Sequence, residues 1–152
     1  MFQLLNAGIR DIVTGHNVKI IAPVNLYECT LGNHVFVGPF VEIQSKVVIG
    51  DGTKIQSHSF ICSLVTIGND CFIGHGVMFI NDLFSEGKPS GGNISGWKAT
   101  NIGNNVSIGS NATILPVNIC NNVVIGAGAV VTKNISIPGI YAGNPAKLIR
   151  KL

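Results

Sequence analysis

The sequence predicts an all-β fold: one parallel β-helix of about six triangular coils filling residues 1–152 as a single domain. Three features carry that prediction. Large apolar residues recur every six positions, at Leu31, Val37, Ile43, Ile49, Ile55, Ile61, Ile67, Ile73 and Phe79. Four places after the first eight stand small or β-branched residues: Val35, Val41, Val47, Thr53, Ser59, Val65, Cys71 and Val77. Glycines directly follow several repeat aliphatics (Gly32, Gly38, Gly50, Gly68, Gly74), where the chain must bend or approach a neighbour closely. A strand places residues i, i+2 and i+4 on one face, so a six-residue unit is a short strand plus a turn. Three units close one coil, with coils ~4.8 Å apart. The 21 Ile and 16 Val agree with this reading, because β-branched residues favour strands. A helix fits neither the spacing nor the glycines, which would cost it about 1 kcal/mol each.

The elements follow in order. Early units are expected at Ile12, Val18 and Val24, with one extra residue before Leu31. Leu31, Ile49 and Ile67 then stack in a column, as do Gly32, Gly50 and Gly68, and Asn33, Asp51 and Asn69. Residues Ser85 to Asn101 break the repeat with Gly87, Pro89, Gly91, Gly92, Gly96 and the only tryptophan, Trp97. This is expected to be a loop leaving one corner of the prism, and loops of such length are usually functional or disordered. The six-step resumes at Ile102, Ile108 and Ile114 and, after a step of five, at Ile119, Ile125, Val131 and Ile137. Residues 138–152 should cap the open end, with Ala146 to Leu152 as a short helix, since a solenoid end must not expose its edge.

Composition narrows the function classes. Only 11% of residues are charged, which excludes a disordered charged tail protein. No apolar run approaches the ~18 residues of a membrane span. Met1 to Asp11 has no charged lead followed by an apolar stretch, so no signal peptide or membrane partner is expected and the cytoplasm is the default location. The net charge of +3 is unevenly spread: all 7 acids lie before residue 87, whereas Lys88, Lys98, Lys133, Lys147, Arg150 and Lys151 follow with no acid among them. A basic half suits a phosphate-bearing ligand. Scattered bases and few aromatics argue against nucleic acid. Cys29, Cys62, Cys71 and Cys120 lack zinc-ligand spacing and are expected as reduced thiols. A zinc centre of the β-helix carbonic anhydrase kind needs three converging imidazoles. His34 falls on a different face from His58 and His75, so no metal is expected.

The repeat resembles that of the hexapeptide-repeat acyltransferases, and the resemblance implies a left-handed β-helix. Ile125-Gly-Ala-Gly-Ala-Val-Val-Thr-Lys133 and Tyr141-Ala-Gly-Asn-Pro-Ala-Lys-Leu-Ile-Arg150 look like the acetyl-CoA-binding end of that family. Phe40-Val-Glu-Ile-Gln44, Ser57-His-Ser-Phe-Ile-Cys62 and Ile73-Gly-His-Gly-Val-Met-Phe-Ile-Asn-Asp82 resemble sugar-nucleotide N-acetyltransferases acting on a 3-amino sugar. The resemblance implies acetyl transfer from acetyl-CoA to a nucleotide-linked amino sugar, serving glycan or lipopolysaccharide synthesis. It also implies a homotrimer with sites between neighbours and the Ser85–Asn101 loop near one of them. Outward apolar residues such as Phe36 and Phe72 would support such packing.

Acetyl transfer to an amine needs a neutral amine, an orienting contact and donors for the developing oxyanion. By resemblance Asn81 is the amine anchor, binding through its carbonyl oxygen. His75 is the candidate base, since imidazole titrates near neutrality. Asp82 either holds the ammonium form or orders the corner. Glu42, Gln44, His58 and Phe60 are expected on the substrate. For coenzyme A, the small residues Ala127 and Gly143 are expected near the pantetheine arm, and Lys133, Lys147 and Arg150 near the phosphates. O-acetyl transfer is the alternative and would make His75 indispensable. A non-catalytic scaffold is a further alternative.

Overall fold

The computed structural model describes residues 1–152, and the chain forms a left-handed parallel β-helix. Its short strands fall into three sheets of 7, 6 and 8 strands, here called A, B and C. Sheet A runs from Ile9–Arg10 through Asn25–Tyr27, Glu42–Ile43, Phe60–Ile61, Met78–Phe79 and Thr113–Ile114 to Val130–Val131. The chain passes from A to B to C and back in each coil, so three corners run along the prism: A–B, B–C and C–A.

Inward alternation builds the core. Ile43, Ile61, Phe79, Ile114 and Val131 stack in sheet A, all at most 1% exposed. The residues four places after each repeat aliphatic also point inward, and two of them are polar. Thr53 Oγ1 donates to Gly68 O at 2.8 Å and Ser59 Oγ to Gly74 O at 2.8 Å, so each buried hydroxyl is satisfied at a corner.

The B–C corner explains the glycine column. Asn33 Oδ1, Asp51 Oδ1, Asn69 Oδ1, Asn104 Oδ1 and Asn121 Oδ1 each accept a backbone N–H from the coil before, at 2.7–2.9 Å. Each side chain therefore folds over the glycine of that earlier coil: Gly15, Gly32, Gly50, Gly68 and Gly103. Cys120 takes the next glycine place, at the end of the ladder.

Several expectations are corrected. The first coil is phased at Thr14, Ile20 and Leu26, which pair with Leu31, Val37 and Ile43. Ile12, Val18 and Val24 are instead the second inward position of each unit. The irregularity before Leu31 is thus a step of five, not an added residue. Both positions face the core, so apolar content alone left the phase open. Ile137 is 46% exposed, and Ile135 occupies the core position, bridging Ile119. The coils number about seven rather than about six. Thr100 and Asn101 already belong to strand Thr100–Ile102, so the insertion ends sooner than Asn101. It is also ordered by an Asp82–Trp97 bridge and a 3-10 turn over Ile94–Gly96. The terminal cap is not a helix: Lys147–Lys151 is a strand antiparallel to Gly139–Ala142. The left-handed Gly143 (φ 95°) and Pro145 reverse the chain and lay the last segment back along Gly139–Ala142, where its backbone groups pair across the two strands instead of within a helix.

Candidate functional site

The predicted residues divide between the two corners that flank sheet A. At the A–B corner, strand Met78–Phe79 buries Phe79 and the chain turns at Asn81. Asn81 Nδ2 donates to Ser63 O, 18 residues earlier, at 3.2 Å. Ser63 N donates to Gln44 Oε1 at 3.3 Å, and Gln44 Nε2 donates to Glu42 Oε1 at 2.9 Å. Phe60 pairs in register between Glu42 and Met78 on the same outer face. Glu42, Gln44, Phe60 and Asn81 are thereby joined in one patch. The amide nitrogen of Asn81 carries this hydrogen bond, and its Oδ1 has no hydrogen-bond partner within the chain. Asp82 is committed to the loop: its carboxylate accepts from Ser90 N at 2.7 Å, Ser90 Oγ at 2.9 Å and Phe84 N at 3.0 Å. Those bonds, the Ser90 N–H first and the Phe84 N–H next, hold its carboxyl below the usual carboxylate range.

The C–A corner carries His58 and His75, whereas His16 and His34 lie at the B–C corner. His75 Nδ1 shares a hydrogen bond with Ser57 Oγ at 2.9 Å, which leaves Nε2 without a partner on an exposed residue. His58, left-handed at φ 64°, stacks on Phe40 with ring centroids 4.9 Å apart. Higher on this corner, Ala127 N lies against Gly109 as Ser110 N lies against Gly74, so Ala127 continues the column of His75. Gly143 follows, its carbonyl accepting from Val130 N at 3.0 Å. Lys133, two residues beyond Val131 as Asn81 is two beyond Phe79, returns to the A–B corner. Lys147 and Arg150 are exposed on the terminal strand. Within one chain, then, Asn81 and His75 stand at opposite edges of sheet A and do not meet.

No group of three or more His, Cys, Asp or Glu side chains is placed to hold a metal. Burial pushes the Cys62 thiol up to about 12 and Cys29 to about 11, and it raises Cys71 as well. None of the three supplies a thiolate near neutrality. Sequence reasoning passed over Ser57 and Ser63 as partners of His75 and Asn81. Both are found by stepping back one 18-residue coil from the residues they hold.

Residues 28–63 match the family model described as bacterial transferase hexapeptide (six repeats), and residues 100–133 match the hexapeptide repeat of succinyl-transferase. The bifunctional protein GlmU of Clostridium beijerinckii is 35% identical over 87% of this chain and 26% of its own length. That of Streptococcus suis is 38% identical over 91% of this chain and 28% of its own. The chain thus spans about a quarter of these curated relatives. Among solved structures, a perosamine N-acetyltransferase variant from Caulobacter crescentus, in complex with CoA and GDP-perosamine, superposes with a TM-score of 0.66 at 21% identity, covering 92% of this chain and 58% of that one. A galactoside acetyltransferase in complex with coenzyme A gives 0.65 at 27% identity, covering 92% and 65%. A maltose O-acetyltransferase from Clostridium difficile gives 0.61 at 22%, covering 96% and 69%.

Proposed function

The chain belongs to the hexapeptide-repeat acyltransferases, and from that premise we propose that it moves acetyl from acetyl-CoA to the amino group of a nucleotide-linked amino sugar, a 3-amino-3-deoxy sugar by the residues of its middle coils. The observation that carries this reading is the Asn81 amide. Its nitrogen is pinned to Ser63 O at 3.2 Å, so its carbonyl oxygen is presented as a fixed acceptor beside Glu42, Gln44 and Phe60. An amine donates one N–H to that oxygen and keeps its lone pair for the thioester carbonyl carbon. The C–N bond forms, the C–S bond breaks, and the amine proton passes to the departing sulfur, giving free coenzyme A and the N-acetyl sugar. The similarity to CoA-bound acetyltransferases supports acetyl-CoA as the donor.

The divided corners favour a homotrimer. Three prisms with their B–C corners toward a threefold axis would pack sheet B of one against sheet C of the next. That brings the Asn81 and Lys133 edge of one chain to the His75, Ala127 and Gly143 edge of its neighbour. Val48 on sheet B and Phe72 on sheet C, 43% and 42% exposed, are apolar surface for such packing. The 85–99 insertion leaves from the Asn81 corner, toward that neighbour. Acetyl-CoA would lie between the joined corners, with its phosphates toward Lys147 and Arg150.

O-acetylation is the second reading, favoured by the unpaired Nε2 of the exposed His75. With Nδ1–H donating to Ser57 Oγ, Nε2 could take a proton from a sugar hydroxyl. An acceptor screen with acetyl-CoA separates the two readings. Turnover of a 3-amino nucleotide sugar, and not of its 3-hydroxy counterpart, supports the amine reading; the reverse selects O-acetylation.

A further inference from the structure

Below the Glu42–Gln44 pair, sheet A carries an arrangement that neither corner uses. Arg10 pairs in register with Tyr27, and its guanidinium rises over the Tyr27 ring, 5.1 Å from the centroid. Its Nη1 donates to Asn25 Oδ1 at 3.2 Å. Both contacts are neutral, so the fork is held in place with most of its donors open. It faces an open groove of about 640 Å³ lined by Leu5, Asn6, Ala7, Arg10, Asn25 and Tyr27. Adjoining it through Ala7 and Asn25 is a smaller apolar hollow of about 280 Å³, with the exposed Phe40 ring on its wall. Glu42 and Glu28 lie near Tyr27, and Lys46 stands on the adjacent corner.

We propose that Arg10, positioned by Tyr27 and Asn25, binds the diphosphate of a nucleotide-linked acceptor, with the base directed toward Phe40. The inference rests on the acceptor class proposed above. The spacing supports it. The guanidinium lies at the Asn25–Tyr27 level, and the Asn81 amide reaches down to the Ser63 level, two coil steps or roughly 10 Å away. That gap matches a hexose ring, from its 3-amino group to the anomeric phosphate, with a hydrogen bond at each end. A planar fork takes a phosphate through two parallel N–H bonds, which a single ammonium cannot do. The tied Glu42–Gln44 pair lies between, at the height of the sugar ring, where its free acceptors meet hydroxyls.

The test is titration of dTDP, UDP and GDP into the wild type, Arg10→Ala, Arg10→Lys and Lys46→Ala. It is paired with KM for a nucleotide-linked 3-amino sugar and for its methyl glycoside, which lacks phosphate. Arg10→Ala should weaken nucleoside diphosphate binding at least tenfold. It should raise KM for the linked sugar alike, with kcat, KM for acetyl-CoA and KM for the methyl glycoside unchanged. Arg10→Lys should recover part of the loss, and Lys46→Ala should have a much smaller effect. Wild-type binding by Arg10→Ala, an equal loss in Lys46→Ala, or no nucleoside diphosphate binding by the wild type would each overturn the proposal. Nucleotide binding through Arg10 without acetylation of any linked amine would leave the Arg10 site standing and remove the proposed reaction instead.

Discussion

Placing a methyl group on Gly50 tests the stacking rule of the prism. Gly50 does not need the left-handed region, so alanine meets no intrinsic backbone strain there. Its Cβ would stand 2.6 Å from both the carbonyl carbon and the oxygen of Gly68 in the next coil, and against Asn69 Oδ1. The first two are backbone atoms and cannot swing away, so two coils must part. Overpacking of this kind costs about 1–3 kcal/mol. Displacing Asn69 also loses the 2.8 Å bond from Asp51 N to Asn69 Oδ1, a further ~0.5–1.5 kcal/mol. Together these come to about 1.5–4.5 kcal/mol. With a urea m-value of about 2 kcal/mol/M, the unfolding midpoint should fall by about 1–2 M. Gly8, with nothing within 4 Å of a built Cβ, is the control and should change by less than about 0.5 kcal/mol as alanine. The candidate site lies at the A–B and C–A corners, so kcat/KM of folded Gly50→Ala should stay near wild type. A midpoint within ~0.25 M of wild type, about 0.5 kcal/mol at that m-value, would refute the argument that glycine is required by the side chain folded over it.

The loop should respond to acid. The Asp82 pKa is lowered, so its contribution to loop order is fully present above the ordinary carboxylate value of about 3.9 and is lost as pH falls through the lowered folded value. Fluorescence of Trp97, bridged to Asp82, should show a step below pH ~4 that Asp82→Asn abolishes; an identical step in that variant would remove Asp82 as its source. Replacing Lys147 and Arg150 together by alanine should raise KM for acetyl-CoA and weaken its salt dependence, with little change in kcat. An unchanged KM would end their phosphate role. The buried Cys62, with its thiol pushed up to about 12, should resist a thiol reagent at neutral pH until the chain is unfolded, and rapid native labelling would contradict its burial.

The architecture was legible because one physical rule repeats. Each coil must bury an aliphatic, turn a corner and leave room for the coil above, and Leu31 to Phe79 shows all three demands in nine units. Legibility failed where that redundancy ends. In the first coil, Ile12 and Thr14 both point inward, and only pairing with the following coil fixes which lies beneath Leu31. At the last, Ile135 and Ile137 are equally apolar, and the choice depends on the bridge to Ile119. The terminal segment reads as helix or strand by propensity alone, and the turn through Gly143 and Pro145 decides it by laying the segment along Gly139–Ala142. The candidate site was partly legible. The 18-residue offset placed His58 beside His75 on one corner, and family resemblance supplied Asn81. The hydrogen-bond chain from Glu42 through Gln44 and Ser63 to Asn81 was hidden, because it depends on side-chain direction at a corner rather than on spacing. The Arg10–Tyr27 contact was hidden for the same reason.

In the proposed reaction Asn81 positions the amine and no protein base is needed. The measurement is kcat/KM against pH for Asn81→Ala and His75→Asn, with acetyl-CoA and a 3-amino nucleotide sugar. Losing the fixed acceptor should lower kcat/KM by roughly 10²-fold if the amine is misplaced by ~1 Å. His75→Asn should keep much of the activity, with a pH profile that follows ionisation of the substrate amine. A wild-type-like Asn81→Ala, beside a His75→Asn that loses roughly 10²–10⁴-fold and one limb of the profile, would contradict the account and make His75 the base.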